Sequence, residues 1–149
     1  MSEPRASRPS FGGYGVPSGP DGMLPWSWVE ERLRVAHNYW AATAGPHASP
    51  IWALWQEDTF VFSCAATSRK ARDLARDPRL VVHLESGAEV VIVEGEADHI
   101  APAEEILTEY AEKYGPVEAE IGNWYRVRPR RVLAWREDDY PRSATRFDF

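Results

Sequence analysis

The chain of 149 residues contains a single cysteine, Cys64, and no cluster of cysteine and histidine with the spacing of a zinc site. One cysteine cannot close an internal disulfide, so we expect neither a disulfide framework nor a structural metal. No apolar run approaches the roughly 20 residues that a membrane-spanning helix requires. Residues 1–8 are polar and lack the apolar core of a signal peptide. These absences predict a soluble, cytoplasmic protein with no membrane partner.

Basic charge is also scarce. The chain has 17 lysines and arginines against 23 acidic residues, which gives a formal net charge of −6. Nucleic-acid binding requires a basic face that neutralises phosphates, so this acidic average argues against a nucleic-acid partner. Only two of the basic residues, Lys70 and Lys113, are lysines. The scarcity of lysine favours a specific role for Lys70 over an arbitrary choice of residue at its position.

Length and composition indicate one folded domain behind an arm. Apolar residues make up 44% and charged residues 27%, which is typical of a globular chain, and 149 residues suffice for one core. Residues 1–24 are rich in glycine, proline and serine and include the run Phe11-Gly12-Gly13-Tyr14-Gly15. Such a segment buries little apolar surface, so we predict a flexible N-terminal arm and a domain from residue 25 to residue 149.

Helical periodicity occurs in three places. Ser27 and Glu30 form a possible capping box at the start of the first helix. Ser68 is expected to cap a short second helix. The third helix is predicted to start at Pro102 and to stop at Gly115.

Period-two alternation predicts short strands in the rest of the domain. The predicted strands are Tyr39–Ala44, His47–Trp55, Phe60–Cys64, Leu80–Glu85, Val90–Ala97, Trp124–Val127 and Val132–Trp135. Many short strands joined by tight turns favour a barrel over a sandwich. The predicted fold is therefore mainly β with inserted helices (α+β), a β-barrel of six or seven antiparallel strands.

The stretch Ser68-Arg69-Lys70 carries the clearest chemical signal. It places two cations in the first turn of a helix, where the positive end of the macrodipole disfavours them by roughly 0.3–1 kcal/mol. A phosphate bound there reverses this effect, because it accepts hydrogen bonds from the exposed N–H groups and from the charged side chains. The alternative is a solvated basic helix in which Arg69 pairs with Asp73 at i,i+4. On these residues alone both interpretations stay open.

A family resemblance bears on this choice. The segment Phe62–Leu74 resembles the flavin-phosphate segment of the pyridoxamine 5′-phosphate oxidase-like split-barrel superfamily, in which an aromatic strand leads into Ser-Arg-Lys. Trp135, followed by Arg146-Phe147, resembles the C-terminal Trp and Arg of that superfamily, which reach the cofactor from the partner subunit. The runs Arg72–Arg79 and Ala144–Phe147 are most similar to the flavin/deazaflavin oxidoreductase branch, which includes enzymes that use coenzyme F420.

The resemblance implies a homodimeric split β-barrel that binds F420, which we favour, or FMN. It also implies hydride transfer between that cofactor and a small organic electrophile. By this resemblance, Arg69 and Lys70 bind the phosphate, and Ser63 and Cys64 contact the ribityl chain and the ring. The implied cofactor-binding residues are Pro50, Trp52, Ser63, Cys64, Ser68, Arg69, Lys70, Trp135 and Arg146.

This chain also departs from the superfamily pattern. The oxidase proper carries an arginine where this chain reads Ser49-Pro50-Ile51-Trp52, which argues against oxidation of pyridoxamine phosphate. Asp73 stands where the branch usually has asparagine. No residue is assigned as the catalytic proton donor, and the candidates are Tyr125 and a water. The same phosphate site would also serve a non-catalytic carrier of flavin, F420 or haem, and a cofactor-free dimeric barrel is the third alternative.

Overall fold

The computed structural model describes residues 3–116 and 122–149. Within these ranges the chain forms nine strands and three α-helices. The strands are β1 (Arg5–Ser7), β2 (Tyr39–Thr43), β3 (His47–Ile51), β4 (Ala53–Gln56), β5 (Thr59–Cys64), β6 (Arg79–Leu84), β7 (Glu89–Ile100), β8 (Asn123–Arg136) and β9 (Thr145–Asp148). The helices are α1 (Trp26–Val35), α2 (Arg69–Arg76) and α3 (Glu104–Tyr114).

All the strand pairs are antiparallel. The main path of the sheet runs β1-β9-β8-β7-β6-β2-β3, and β4 joins it through β5, which pairs with the first residues of β8. Alternate residues of these strands face a core that α1 covers with Val29 and Leu33. A smaller apolar cluster lies between α3 and the β4–β5 pair. The predicted fold class, mainly antiparallel β with inserted helices, is confirmed.

The strand count differs from the expected six or seven. The predicted strand His47–Trp55 is divided at Trp52, which separates β3 from β4. The two predicted C-terminal strands are instead the single strand β8, because the residues between them continue to pair with β7. Pro129, which has no N–H to donate, lies opposite Gly95, where the register of β7 and β8 shifts and a Cβ would collide with the Arg128 carbonyl. Two short strands, β1 and β9, complete the nine.

Helix α1 starts earlier than the capping box predicts. Pro25 occupies the N-cap position and no side chain caps the helix, so the prediction of a capping box formed by Ser27 and Glu30 is wrong. Trp26, the first helical residue, is buried against Trp55 and Phe147. Burying this large ring stabilises the fold more than a side-chain cap would, and it sets where the helix begins.

The segment predicted as a flexible arm packs along the C-terminal segment. β1 pairs with β9, and the Phe11 ring lies 5.5 Å from the Trp135 ring. The Arg8 guanidinium donates hydrogen bonds of 2.6–2.7 Å to four backbone carbonyls, those of Gly19, Asp21, Arg142 and Ala144. Composition misses this contact because one arginine supplies the donors for it, and two of the acceptors, the carbonyls of Arg142 and Ala144, are more than 100 positions away. Residue 24 as the domain boundary stays a prediction.

No helix in the described part of the chain is both long and apolar enough to cross a bilayer.

Candidate functional site

The start of helix α2 has the geometry that its sequence predicts. Ser68 lies in the N-cap position with extended backbone, and its Oγ accepts a hydrogen bond from the Ala71 N–H at 3.2 Å. This confirms Ser68 as the cap. The N–H groups of Arg69 and Lys70 belong to the first helical turn, where no earlier helical carbonyl can accept their hydrogen bonds. The helix therefore begins with donors that remain available to a ligand.

A cavity of about 420 Å³ opens at this helix start. It lies between the ends of β3 and β5 and the first turn of α2, with α3 on one side. Six of the nine predicted cofactor-binding residues line it: Pro50, Trp52, Ser63, Cys64, Ser68 and Lys70. Asn38, Ile51, Ala65 and Tyr110 complete the lining. Residues distant in sequence thus meet in one place, as the predicted site requires.

Lys70 is the cation of this cavity. Its Nζ donates a hydrogen bond to Ser49 Oγ at 2.7 Å, which holds the ammonium beside β3. An ammonium has three N–H groups, so this bond leaves two of them for a ligand.

Arg69 is turned away from the cavity. Its Nε lies 3.9 Å from Asp73 Oδ2, so the i,i+4 pair is present but is longer than a hydrogen bond. A Cβ on Gly45 would lie 2.5 Å from Asp73 Oδ2 and 3.0 Å from Arg69 Nη2, so both side chains pack directly against that glycine. The role of Arg69 in phosphate binding stays a prediction.

Asp73 is buried, with its side chain only 1% exposed. It accepts hydrogen bonds from Thr43 Oγ1 and from Arg76 Nη2, each at 2.8 Å. The hydrogen bond from Thr43 is the largest of the effects that lower the pKa of the Asp73 carboxyl, while burial opposes them. The negative charge that replaces the usual asparagine is therefore paired within the fold rather than aimed at the cavity.

Trp135 and Arg146 lie outside the cavity. Cys64 pairs with Asn123 at the start of β8, whereas Trp135 lies near the other end of the same 14-residue strand. Trp135 packs against Phe11, and Arg146 on β9 donates hydrogen bonds to the Asp148 carboxylate, the shortest at 2.8 Å. One chain alone does not bring these two residues to its own cavity.

Tyr125 is also outside the cavity. It is buried, its ring stacks with Phe62, and its hydroxyl accepts a hydrogen bond from Asn123 Nδ2 at 3.1 Å. Burial raises the pKa of its phenol. These contacts give no support to Tyr125 as the proton donor.

An aromatic group beside the cavity was not assigned from the sequence. The rings of Trp52 and Tyr114 stack at 4.7 Å with an interplanar angle of 7°, and His37 lies edge-on to both. Tyr110 and Tyr114 are four residues apart on α3, so helical spacing could have indicated that they share a face. Nothing in the sequence pairs that face with Trp52.

Two larger grooves suit a phosphate less well. One, of about 890 Å³, is rimmed by six carboxylates, which repel an anion: Glu3, Glu30, Glu57, Asp58, Glu109 and Glu112. The other, of about 780 Å³, is lined by Arg79, Arg130 and Arg131, each of which already lies within 4 Å of a carboxylate. Across residues 3–116 and 122–149, no group of three or more His, Cys, Asp or Glu could hold a metal ion.

Residues 29–143 match the family model described as pyridoxamine 5′-phosphate oxidase. A conserved hypothetical protein from Mycobacterium tuberculosis is 20% identical, with 79% of this chain and 88% of that chain covered and a TM-score of 0.67. An F420 reductase is 16% identical, with 76% and 98% covered and a TM-score of 0.57. HutZ, a haem storage protein from Vibrio cholerae, is 12% identical, with 72% and 90% covered and a TM-score of 0.59. At such identities these structures share the fold alone, and no curated protein matches the sequence.

Proposed function

Because this chain belongs to the pyridoxamine 5′-phosphate oxidase family, we propose that it is an oxidoreductase that uses a phosphate-bearing flavin or deazaflavin. The substrate is a small organic electrophile. The observation that carries the proposal is the cavity where Ser68, Lys70 and the first turn of α2 converge. We favour F420 over FMN because the segments Arg72–Arg79 and Ala144–Phe147 resemble the branch that includes F420 enzymes.

The donors at the cavity fit a phosphate. Lys70 has two free N–H groups, and Ser68 uses its Oγ as an acceptor, which leaves its hydroxyl proton to donate. The N–H groups of Arg69 and Lys70 add two backbone donors at the positive end of the helix dipole. A phosphate accepts from all of these together, which is the usual arrangement at a helix N-terminus.

The remaining walls fit a planar ring. Ile51 and Tyr110 are buried, and Cys64 lines the cavity at the end of β5. The cavity volume of about 420 Å³ is within the range of small-molecule and cofactor sites. These residues would hold the ring in one orientation while Lys70 fixes the phosphate.

The chemistry that such a cofactor supplies when bound is transfer of a hydride, two electrons with one proton, to an electron-poor carbon, with water giving the second proton to the product. The residues of this chain bind and orient. They hold the phosphate, fix the ring and narrow the space over it, so that the reacting atoms meet at a productive distance. Because the cofactor supplies the chemistry and the protein binds and orients, no side chain has to act as a base.

We also propose that the active form is a homodimer, in which Trp135 and Arg146 reach the cavity of the partner. The positions of these two residues, near the end of β8 that lies away from their own cavity, support it. So does the outer sheet face, where Trp40, Ile92 and Leu133 lie in one row across β2, β6, β7 and β8 and are only partly buried. A row of partly buried apolar side chains on an outer sheet face is typical of a surface that a partner covers.

A second candidate is a carrier that binds the same cofactor, or haem, without turnover. Among the residues that the structure describes, the lining of the cavity includes neither His, Asp nor Glu, so it would serve a carrier as well as an enzyme that needs no side-chain base. A haem storage protein shares the fold.

Titration of the purified protein with F420 and with FMN, followed by cofactor fluorescence, tests the proposal. We expect tight binding of one of them and an affinity at least tenfold weaker in Lys70→Ala, because a charge-assisted contact to phosphate is lost. Arg72→Ala is the matched control, since Arg72 is an exposed cation on the same helix. Equal affinity in all three proteins would refute the phosphate site.

A hydride-transfer assay then separates the two candidates. Reduced cofactor is mixed with the protein and with quinone or enone substrates, and cofactor oxidation is followed by absorbance. Oxidation that depends on the protein supports the oxidoreductase. Tight binding without oxidation supports the carrier.

A further inference from the structure

Trp52 is a large apolar side chain that the fold leaves exposed beside the cavity. Its exposed fraction is 44%. Across the described residues the other large exposed apolar side chains are Tyr14, Val35 and Phe149, and none of these lines the cavity. A single exposed tryptophan has no significance alone, but one at the rim of a binding cavity has a surface for a ligand.

The indole is held in a fixed orientation. Tyr114 stacks on one face, and the Tyr114 hydroxyl accepts a hydrogen bond from the Ala53 N–H at 3.0 Å and donates one to the His37 carbonyl at 2.7 Å. Trp52 itself lies between the buried residues Ile51 and Ala53, so its backbone is anchored on both sides. A ring supported in this way is preorganised for stacking, because little entropy is lost when a ligand binds it.

In the part of the chain that the structure describes, the aromatic rings that contact the indole lie on one side of it. The His37 ring centroid lies 5.1 Å from that of Tyr114 and 5.9 Å from that of Trp52, while the two stacked rings are 4.7 Å apart. A triangle with these sides puts His37 on the Tyr114 side of the indole. The face of Trp52 away from Tyr114 is therefore covered by neither ring, in keeping with the high exposure of the side chain.

The position of this open face suits the substrate. Lys70 donates a hydrogen bond to Ser49. Trp52 follows Ser49 by three residues, and at the rise of an extended strand this separates the two residues by about 10 Å. The exposed rim formed by Pro50 and Trp52 is where a molecule from solvent enters, whereas the inner wall at Ile51 is buried. An electron-rich indole stacks best on an electron-poor ring, and an electron-poor carbon is also what accepts hydride.

We propose that Trp52 is a specificity-determining residue whose open face stacks on a planar, electron-poor conjugated ring of the substrate, and that it selects such substrates over non-planar electrophiles. This inference rests on the proposed oxidoreductase function.

Steady-state kinetics with two substrates tests it. A naphthoquinone is the planar substrate and 2-cyclohexenone is the non-planar one. In Trp52→Ala we expect KM for the naphthoquinone to rise about tenfold, with partial recovery in Trp52→Phe and with kcat changed less than twofold. KM for 2-cyclohexenone should change less than twofold. Tyr14→Ala is the matched control, because it removes an exposed aromatic ring that does not line the cavity.

Two results would overturn the inference. One is an equal change, or no change, in KM for both substrates. The other is a loss of affinity for F420 or FMN in Trp52→Ala as large as the change in KM, which would assign the ring to the cofactor instead. Trp52→Phe keeps an aromatic ring at the site and guards against a variant that fails to fold.

Failure of the proposed function is distinguished by a direct titration. The naphthoquinone is added to cofactor-free protein, and quenching of tryptophan fluorescence is followed. Saturable quenching that is lost in Trp52→Ala supports the stacking surface even if no cofactor is ever oxidised. Equal quenching in wild type and in Trp52→Ala refutes it whatever the turnover.

Discussion

Two cations, Arg8 and Lys70, are both held by hydrogen bonds, but they differ in the number of N–H donors that remain free for a ligand. Arg8 donates four hydrogen bonds to backbone carbonyls of its own chain. Lys70 donates one, to Ser49, and faces a cavity. A cation that uses four of its five N–H donors inside the fold contributes to stability, whereas one that keeps two of its three donors at a concave surface is available to a ligand. We therefore predict that Arg8 is a structural cation and that Lys70 binds a ligand.

The largest effect on stability is expected for the loss of the Arg8 side chain. We expect Arg8→Ala to lower the free energy of unfolding by about 3 kcal/mol, because four charge-assisted hydrogen bonds are lost and four carbonyls must find other donors. Urea unfolding measures this. Arg34→Ala is the control, since Arg34 is largely exposed and lies 3.7 Å from Glu30, and its loss should cost less than about 0.5 kcal/mol. Equal losses for the two variants would mean that Arg8 is not structural.

Gly45 allows a test of the packing around Arg69, the cation that is turned away from the cavity. In Gly45→Ala the new Cβ would press on Asp73 and Arg69, and we expect a loss of about 2 kcal/mol from overpacking beside a buried carboxylate. Gly87→Ala is the control, because a Cβ there meets nothing within 4 Å. A thermal melt of both variants measures the difference. If Gly45→Ala is as stable as Gly87→Ala, the cluster is not closely packed.

Lys113, the second lysine, is a structural cation whose burial has a cost. Its Nζ donates to Tyr39 Oη and to the Ala53 carbonyl, and burial lowers the pKa of its ammonium from 10.5 to about 8. Between pH 8 and 9.5 the unfolded chain therefore binds more protons than the folded one, and stability rises with pH by about 1 kcal/mol. Above pH 10 the trend ends, because burial raises the pKa of Tyr110 to about 12 and keeps it protonated only in the folded state.

Chemical unfolding at several pH values measures this rise. In Lys113→Met the rise between pH 8 and 9.5 should disappear, because the titrating group is gone. A wild-type protein whose stability falls over this range would contradict the prediction.

The smallest expected effect on stability is that of Lys70→Ala. One hydrogen bond at a partly exposed site is worth about 0.5 kcal/mol or less, so the melting temperature should stay close to that of the wild type. The same variant is expected to lose at least tenfold in cofactor affinity. A large loss of stability together with an unchanged affinity would reverse the assignment of the two cations.

Local signals made much of the cavity predictable from sequence. Ser68 as a cap, the short helix behind it and the strand that ends at Cys64 depend on neighbours within a few residues, and the structure has all three. The convergence of Pro50 and Trp52 on the same cavity followed from the family resemblance rather than from periodicity.

Long-range contacts account for what could not be predicted. The direction of Arg69 depends on Gly45, and the stack on Trp52 depends on Tyr114, residues that no local pattern connects. β1 is too short for a periodic signal and exists because β9, almost 140 residues later, offers it a partner. The composition of residues 1–24 contains no information on the distant acceptors of Arg8, the carbonyls of Arg142 and Ala144.

The pairing of β1 with β9 has a consequence for handling the protein. Three residues, Arg5–Ser7, occupy the side of β9 that would otherwise present unpaired N–H and carbonyl groups at the end of the sheet. A bare edge of this kind is a template for adding strands from other molecules. Trimming the first seven residues, which removes β1 and keeps Arg8, should therefore show itself first as aggregation on concentration, before any change in ligand binding.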